Sequence, residues 1–561
     1  MQDPKEASSS GPMQSGHAQM QPLNKADALT VILDRLRRVE EQCTTLPQTL
    51  ADPSTIAARG SATQSPAVPY ATLSSGTPKS QTTSPAASFV TADRASHGTP
   101  LPSSSSSHGR ALDATAILKD AIDLVQRHVL HDIASSIITQ EIHIPADLAK
   151  SWIAANRSII VAAYWEYTPT QLLNSFVDRH LIEMMPELLV SSHVRIDGAI
   201  VLIYYSVLYD GCNFRAMTTN PEDIQHAKSI YLCCLRALPG WEREITGTMV
   251  DIVAAMSLCR VATEFFDYEL AWRMFQHACG YAEDLGLHKI DAGSKESSGN
   301  ARQWDEDRKG FWDLLHIDLL FRLTFNKQPS LSGRTWRVNL PWLDKHTAPD
   351  SDGFSTMNFI VSSRLSLVQL RFFEMLETAS EIDEKSLWTK TEGLCQEILD
   401  LYEEWGISRW VSKSTSTGCL MFVAAAAALT GYTSIIFMLR KITRLDSNSP
   451  RPISSDVDVP DSPLALQASR HIIYLFGLLA KQYPWTGTMS AVFGAFQGNI
   501  AYGYLVKSIL LDSDIASRRD DIELLRRVSD CIREIASREK MFVPLTRAMN
   551  TLNEEIRRKG G

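Results

Sequence analysis

A chain of 561 residues is long enough for one large buried core or two modest ones. With 44% hydrophobic and 21% charged residues it has ordinary globular composition, and a net charge of -9 excludes a chain that coats nucleic acid by charge alone. The nine cysteines are scattered and never take the C-x2-C…C-x2-C spacing of a zinc site, so they read as free thiols of a reducing compartment.

Residues 1–23 are polar and lack the apolar run of a signal peptide. This stretch and residues 47–110 are rich in Ser, Thr, Pro, Ala, Gln and Gly, and Pro102 through Ser107 is low in complexity. Such composition buries too little apolar surface to offset the entropy of ordering, so residues 1–110 are expected to be mostly disordered. One ordered segment interrupts them at 26–46. There Leu29, Ile32, Leu36, Val39, Cys43 and Leu46 follow a heptad seam, flanked by Arg35, Arg37, Arg38, Glu40 and Glu41 and ended by Pro47. The seam reads equally as a homo- or heterodimer contact and as an amphipathic helix docked on its own domain.

From Ala111 the apolar residues recur with helical period. Ile117, Ala121, Leu124, Val125 and His128 mark one face of a first helix. Further helices are predicted over 170–185, 193–210, 222–237, 245–265, 267–286, 306–326, 357–380, 387–405, 415–441, 463–482, 486–510 and 518–555. Alternating strand patterns are rare. The expected fold is all-α: one large multi-helix domain over 111–561, its helices packed as pairs around a buried centre. Gly418 to Leu439 is a run of 22 residues without charge, long enough to span a bilayer. Its five consecutive alanines and its Thr430, Tyr432, Thr433 and Ser434 favour a buried central helix instead, with no membrane contact.

Two of these helices carry the most specific residues. In the first, Tyr268, Trp272, Phe275, Cys279 and Ala282 share a face, and Gly286 stands where a helix stops in the left-handed conformation. Leu285 and Leu287 flank the stop, and His288 and Lys289 suit the negative end of the helix dipole. The next helix presents Phe311, Trp312, Leu315 and Leu319, with Asp318 and Arg322 spaced to form an ion pair. Each of these residues has a structural explanation in packing or capping.

Together the two helices resemble the middle homology region of the fungal-specific transcription factor domain. Leu270-Ala271-Trp272 leads into Ala282-Glu283-Asp284-Leu285-Gly286-Leu287-His288, which matches that family's "A.dLGLH". Arg308-Lys309-Gly310-Phe311-Trp312 through Asp318, then Pro329 and Leu340-Pro341, match its "RR.fW.lf.lDr" helix and the "grP" and "LP" that follow. Leu319 stands where the family has Arg, and Lys327-Gln328 where it has Gly-Arg. Leu172 to Asp178 with Met185-Pro186 resembles the family's first helix, and the likeness extends weakly to 510. The resemblance implies a nuclear transcription regulator of the zinc-cluster type, controlling a metabolic or secondary-metabolite gene set. It further implies partner contacts and an effector pocket lined by the aromatic helices, for a small molecule the sequence does not identify.

The family reads DNA with six cysteines holding two zinc ions. No cysteine precedes Cys43, and such a cluster requires its thiolates. DNA contact is therefore expected only through a partner or through a cluster preceding the sequence. The alternative is a non-DNA-binding interaction protein or co-regulator. A third reading, an all-α enzyme, lacks support: phosphate-loop, zinc-protease, nucleophile-elbow and dinucleotide motifs are absent, and Asp512-Ser513-Asp514 and Asp520-Asp521 lack partner acids at helical spacing. No catalytic, cofactor or metal residues are expected.

Overall fold

Short polar side chains set where the helices begin. Asp113, Asp197, Thr248, Asp267, Asp383 and Ser462 each stand ahead of a helix and accept a hydrogen bond from an N–H of its first turn. Each bond satisfies a donor that the helix cannot pair internally. The computed structural model describes residues 113–161, 177–191, 193–292, 301–331, 336–341, 354–379, 382–413, 418–445 and 459–560. These fall in one compact unit, and no β-strand occurs among them: the protein is all-α. The seam at 26–46 and the low-complexity stretches lie outside the described residues.

The first group of helices is α1 (Ala114–Thr139), α2 (Ala146–Val161), α3 (Arg179–Leu188), α4 (Gly198–Thr218), α5 (Ala227–Glu244), α6 (Met249–Thr263) and α7 (Tyr268–Asp284). Its centre is α4, on which α2, α5 and α6 pack, and α6 in turn pairs with α7. Residues on every side of α4 are buried, from Leu202 to Tyr209 and Cys212, as expected of a helix apolar all round. At Gly211 the backbone of α2 comes so close that a Cβ would collide with the Trp152 carbonyl. Glycine is what lets the two helices cross there.

The second group is α8 (Ala301–Thr324), α9 (Phe354–Glu377), α10 (Glu384–Glu404), α11 (Ile407–Lys413), α12 (Gly418–Leu445) and α13 (Pro463–Gln482). It ends with α14 (Thr486–Ser490), α15 (Gly498–Leu511), α16 (Arg519–Arg538) and α17 (Val543–Gly560). Here α12 is the hub, touched by α8, α9, α10, α11 and α13, and α13 carries α15 and α16 on its other side. By length and hydropathy Met421–Thr443 of α12 could cross a membrane, yet 83% of its apolar window is buried among these neighbours. Finally, α1 packs on α15 and α17, so that one end of the described chain meets the other.

Four local expectations are corrected, and one helix was missed. The buried stripe of α1 is Leu118, Ile122, Val125, Val129 and Ile133, whereas Leu124 is 38% exposed and His128 is also exposed. Because α1 meets α5 as well as α15 and α17, its neighbours, not its most apolar arc, decide the buried side. The helix α2 was not foreseen, because its stripe is short: Ala149, Trp152, Ile153 and the polar Asn156 are what it buries. The span 486–510 is broken by a π-helical turn at Ala491–Ala495, and 518–555 by a 3-10 turn at Lys540–Phe542. The helix expected at 170–185 begins at Arg179 within the described residues, capped by Asp178.

Candidate functional site

The residues that carry the family resemblance form one packed unit. Trp272 and Phe275 of α7 meet Phe321 of α8 with ring centroids 5.1 and 5.4 Å apart. Between the helices Gly286 takes φ 75°, Leu287 turns inward and Leu285 is left 45% exposed, the expected geometry of a helix stop. The His288 carbonyl accepts the Arg337 N–H at 2.7 Å. Asp291 receives the Arg308 guanidinium on both oxygens, at 2.5 and 3.1 Å, and the Asn339 N–H at 2.7 Å. Trp312 donates its indole N–H to the Asn339 carbonyl at 3.1 Å, and Phe311 and Trp312 both pack on Trp336. Residues 336–341 thus strap the two helices together. Asp291 was not among the residues singled out from sequence, because nothing local marks an acid 17 residues ahead of its arginine.

Asp318 is 1% exposed, and the expected ion pair with Arg322 does not form. One carboxylate oxygen accepts the Ser330 N–H at 2.8 Å, just after Pro329, which is exposed. The other oxygen has no hydrogen-bond partner, and Arg322 instead lies over the Phe373 ring at 4.0 Å. Burial pushes the Asp318 carboxyl up to about 6, against the pull of the Ser330 N–H and of Arg322. The folded state therefore binds this proton more tightly than the unfolded chain does, and the stability this residue costs grows as pH rises from about 4 to above 6. Asp318→Asn keeps an acceptor for the Ser330 N–H and cannot ionise. Relative to wild type it should gain roughly 2 kcal/mol between pH 4 and pH 7.5, read as the difference of urea midpoints at the two pH values. A gap that does not change with pH would refute the buried-carboxyl assignment.

A second polar centre joins α4 to α6. Arg260 pairs with Asp210 and, at 3.3 Å, with Glu264. Glu264 accepts the Tyr209 hydroxyl at 2.8 Å and the Asn213 amide at 3.4 Å. Burial raises the carboxyls of both acids, and Arg260 opposes that rise in each. This is an ion-pair core with its groups turned on one another.

A cavity of about 310 Å³ opens where the starts of α1, α7 and α15 meet the ends of α8 and α12. Unusual backbone gathers around it. Among the described residues the non-glycines with positive φ are Phe266 at 58°, Asn326 at 52° and Gln497 at 45°. Asn326 and Gln497 line the cavity, and the Phe266 carbonyl accepts the side-chain amide of Gln126, another lining residue, at 2.9 Å. Each such residue costs of order 1–3 kcal/mol and persists only where its surroundings hold it. The restraints are visible: Gln497 donates to the Thr324 carbonyl at 3.1 Å, and Lys441 donates to the Asn326 side chain at 2.9 Å.

The π-helical turn forms the far wall. A Cβ on Gly494 would collide with the Tyr268 hydroxyl, which donates to the Ser490 carbonyl at 2.8 Å. Ser490 Oγ donates to the Thr263 carbonyl at 2.5 Å and accepts the Phe266 N–H at 2.9 Å. The turn is widened around an incoming tyrosine and pinned there by one serine, and π-turns of this kind recur at functional sites.

Another cavity, of about 770 Å³, lies between α11, α12, α13 and α16. Its arginines are engaged with its own acids, Arg470 and Arg518 with Asp521 and Arg527 with Glu523. Among the described residues no group of His, Cys, Asp and Glu could hold a metal ion. No family model matches the chain, and no curated protein or solved structure matches it either.

The motif residues do not line the smaller cavity. Trp272, Phe311, Trp312 and Asp318 build the two-helix unit, and the aromatic helices reach the cavity through Tyr268, through Leu323 and Thr324 at the end of α8, and through Phe325 just beyond it. Sequence reading missed Gln126, Asn326, Arg440, Lys441 and Gln497. One signal was present: Gly494 and Gly498 bracket Phe496-Gln497 inside an otherwise helical pattern, which marks a break or a close approach.

Proposed function

We propose that the chain is a nuclear transcription regulator of the fungal zinc-cluster type, acting through its helical domain on a metabolic or secondary-metabolite gene set and performing no catalysis. The observation that supports this reading is the strapped α7–α8 unit, in which Trp272, Trp312 and Asp318 are each held by a neighbour within the unit: Phe321, Asn339 and Ser330. DNA contact then comes from a partner engaged through 26–46 or from a cluster preceding the chain. The net charge of -9 favours, as a second reading, a co-regulator that never touches DNA.

A tethering assay tests the first statement. The full chain, fused to a heterologous DNA-binding module, should change a reporter behind that module's operator several-fold in either direction. Output equal to that of the module alone, on both a basal and an activated promoter, overturns the regulatory reading. A gel shift of the untethered chain on candidate promoters separates the two versions: specific binding without a partner removes the co-regulator reading.

A further inference from the structure

We propose that the cavity between α1, α8, α12 and α15 binds a small uncharged carbonyl compound, a ketone or lactone of one or two rings. Its oxygen accepts a hydrogen bond from the Asn499 amide, and its apolar body lies among Phe325, Phe437 and Phe493. Asn499 carries the inference. It lines the cavity from the first turn of α15 and is only 7% exposed. Among the described residues its side chain has no hydrogen-bond partner. Nor are its polar atoms sealed in by protein as the unpaired atoms of Gln369 and Ser469 are, so the amide opens into the cavity. Buried amides are nearly always hydrogen-bonded, and one without a protein partner calls for an occupant that supplies the bond.

The start of α15 points to the same group. This helix of 14 residues has Gln497 as its N-cap, and no side chain caps it. Gln497 holds φ 45° and sends its side-chain amide to the Thr324 carbonyl of α8, at 3.1 Å. The first N–H groups of a helix have no partner within it, and they form the positive end of its dipole. An oxygen acceptor suits that wall.

The remaining walls select an uncharged ligand. Phe437, Phe493, Leu323, Ile122 and Ile500 line the cavity and are each at most 8% exposed. An aromatic or aliphatic body covers such groups and water does not. The lining cations are already engaged, Lys441 with Asn326 at 2.9 Å and Arg440 and Lys119 with other groups, so none is left to offset the desolvation of an anion. The one acid of the lining, Asp123, also opposes an anion, and a cation is opposed by the positive start of α15. The volume of about 310 Å³ is at the lower end of small-molecule sites.

The claim is independent of the regulatory reading: dialysis reads binding and the reporter reads transcription, and either can fail alone. The experiment is equilibrium dialysis of the purified full chain at pH 7.5 against acetophenone, 2-acetonaphthone and coumarin. Each is paired with the hydrocarbon of the same shape, and 2-naphthoate and 2-naphthylmethylamine supply the charged comparisons. At least one carbonyl compound should bind at one site per chain, at least fivefold more tightly than its hydrocarbon and than either ion, and equally well in 0.5 M salt. Asn499→Leu keeps the size and removes the amide, and Asn499→Asp keeps an acceptor and loses the donor. Each should weaken carbonyl binding at least fivefold, and Asn499→Leu should leave hydrocarbon binding unchanged. Because the amide has no partner in the empty chain, Asn499→Leu should also keep or raise the urea midpoint, which a structural role for Asn499 would lower. Failure of all three carbonyl compounds to saturate the protein overturns the proposal. So does a hydrocarbon or ion that binds as tightly, or Asn499→Leu and Asn499→Asp variants that both bind like wild type.

Discussion

Arg260→Met should lower the stability of the domain by roughly 3–5 kcal/mol at pH 7, because it strips the partner from a buried carboxylate. Asp210 is 5% exposed and its pair with Arg260 is the contact that offsets its desolvation. Methionine fills much of the arginine's volume, so packing is kept and the loss is electrostatic. That loss is a large share of the roughly 5–15 kcal/mol that holds an ordinary domain folded. The sign with pH is specific. Burial already raises the Asp210 carboxyl, and Arg260 is what opposes the rise. Without Arg260 the folded-state value climbs further, so the variant's deficit is full at neutral pH and shrinks as acid neutralises the group. Urea midpoints at pH 7.5 and pH 5 measure this, and Asp210→Asn in the same chain should restore most of the loss at pH 7.5. A single Arg260→Met variant as stable as wild type at pH 7.5 would show the pair to be without energetic weight.

Gly494→Ala should cost about 2–3 kcal/mol and should remove the far wall of the small cavity. Helix propensity alone predicts the opposite, a gain of about 0.5–1 kcal/mol for alanine over glycine inside a helix. The collision with the Tyr268 hydroxyl decides the outcome. Overpacking of this kind costs about 1–3 kcal/mol, and displacing the tyrosine also breaks its bond to the Ser490 carbonyl, worth about 1 kcal/mol. The urea midpoint checks it: it falls in Gly494→Ala and does not fall in Gly280→Ala, whose added Cβ meets open space. A stabilised Gly494→Ala variant would mean that Tyr268 has room to move and that the π-turn is not shaped by it.

Much of the fold was legible because helical period and punctuation agree. The stop at Gly286 lies where the sequence puts it, and the boundaries of α13 coincide with the predicted span. What was not legible depends on neighbours far along the chain. Which side of α1 is buried is settled by α5, α15 and α17. Whether Asp318 pairs with Arg322 is settled by Ser330 and Phe373, since the first offers an N–H and the second a ring face. The cavity was invisible for the same reason. Arg440 and Lys441 sit at the end of α12, where sequence offers only the flank of an apolar run, and the strain is a property of φ at Gln497 and Asn326, which side-chain chemistry does not announce.

The closure of the chain on itself has a consequence for synthesis. The apolar stripe of α1, from Leu118 to Ile133, leaves the ribosome long before its cover exists. Helix α17 begins about 400 residues later, and at about 5–20 residues per second that interval lasts roughly 20–80 s. Throughout it the nascent protein displays a sticky, incomplete surface, and the small cavity lacks the wall supplied by the π-turn and α15. Helix α5 can cover part of α1 early, but the rest of its stripe waits for the last helices to leave the ribosome.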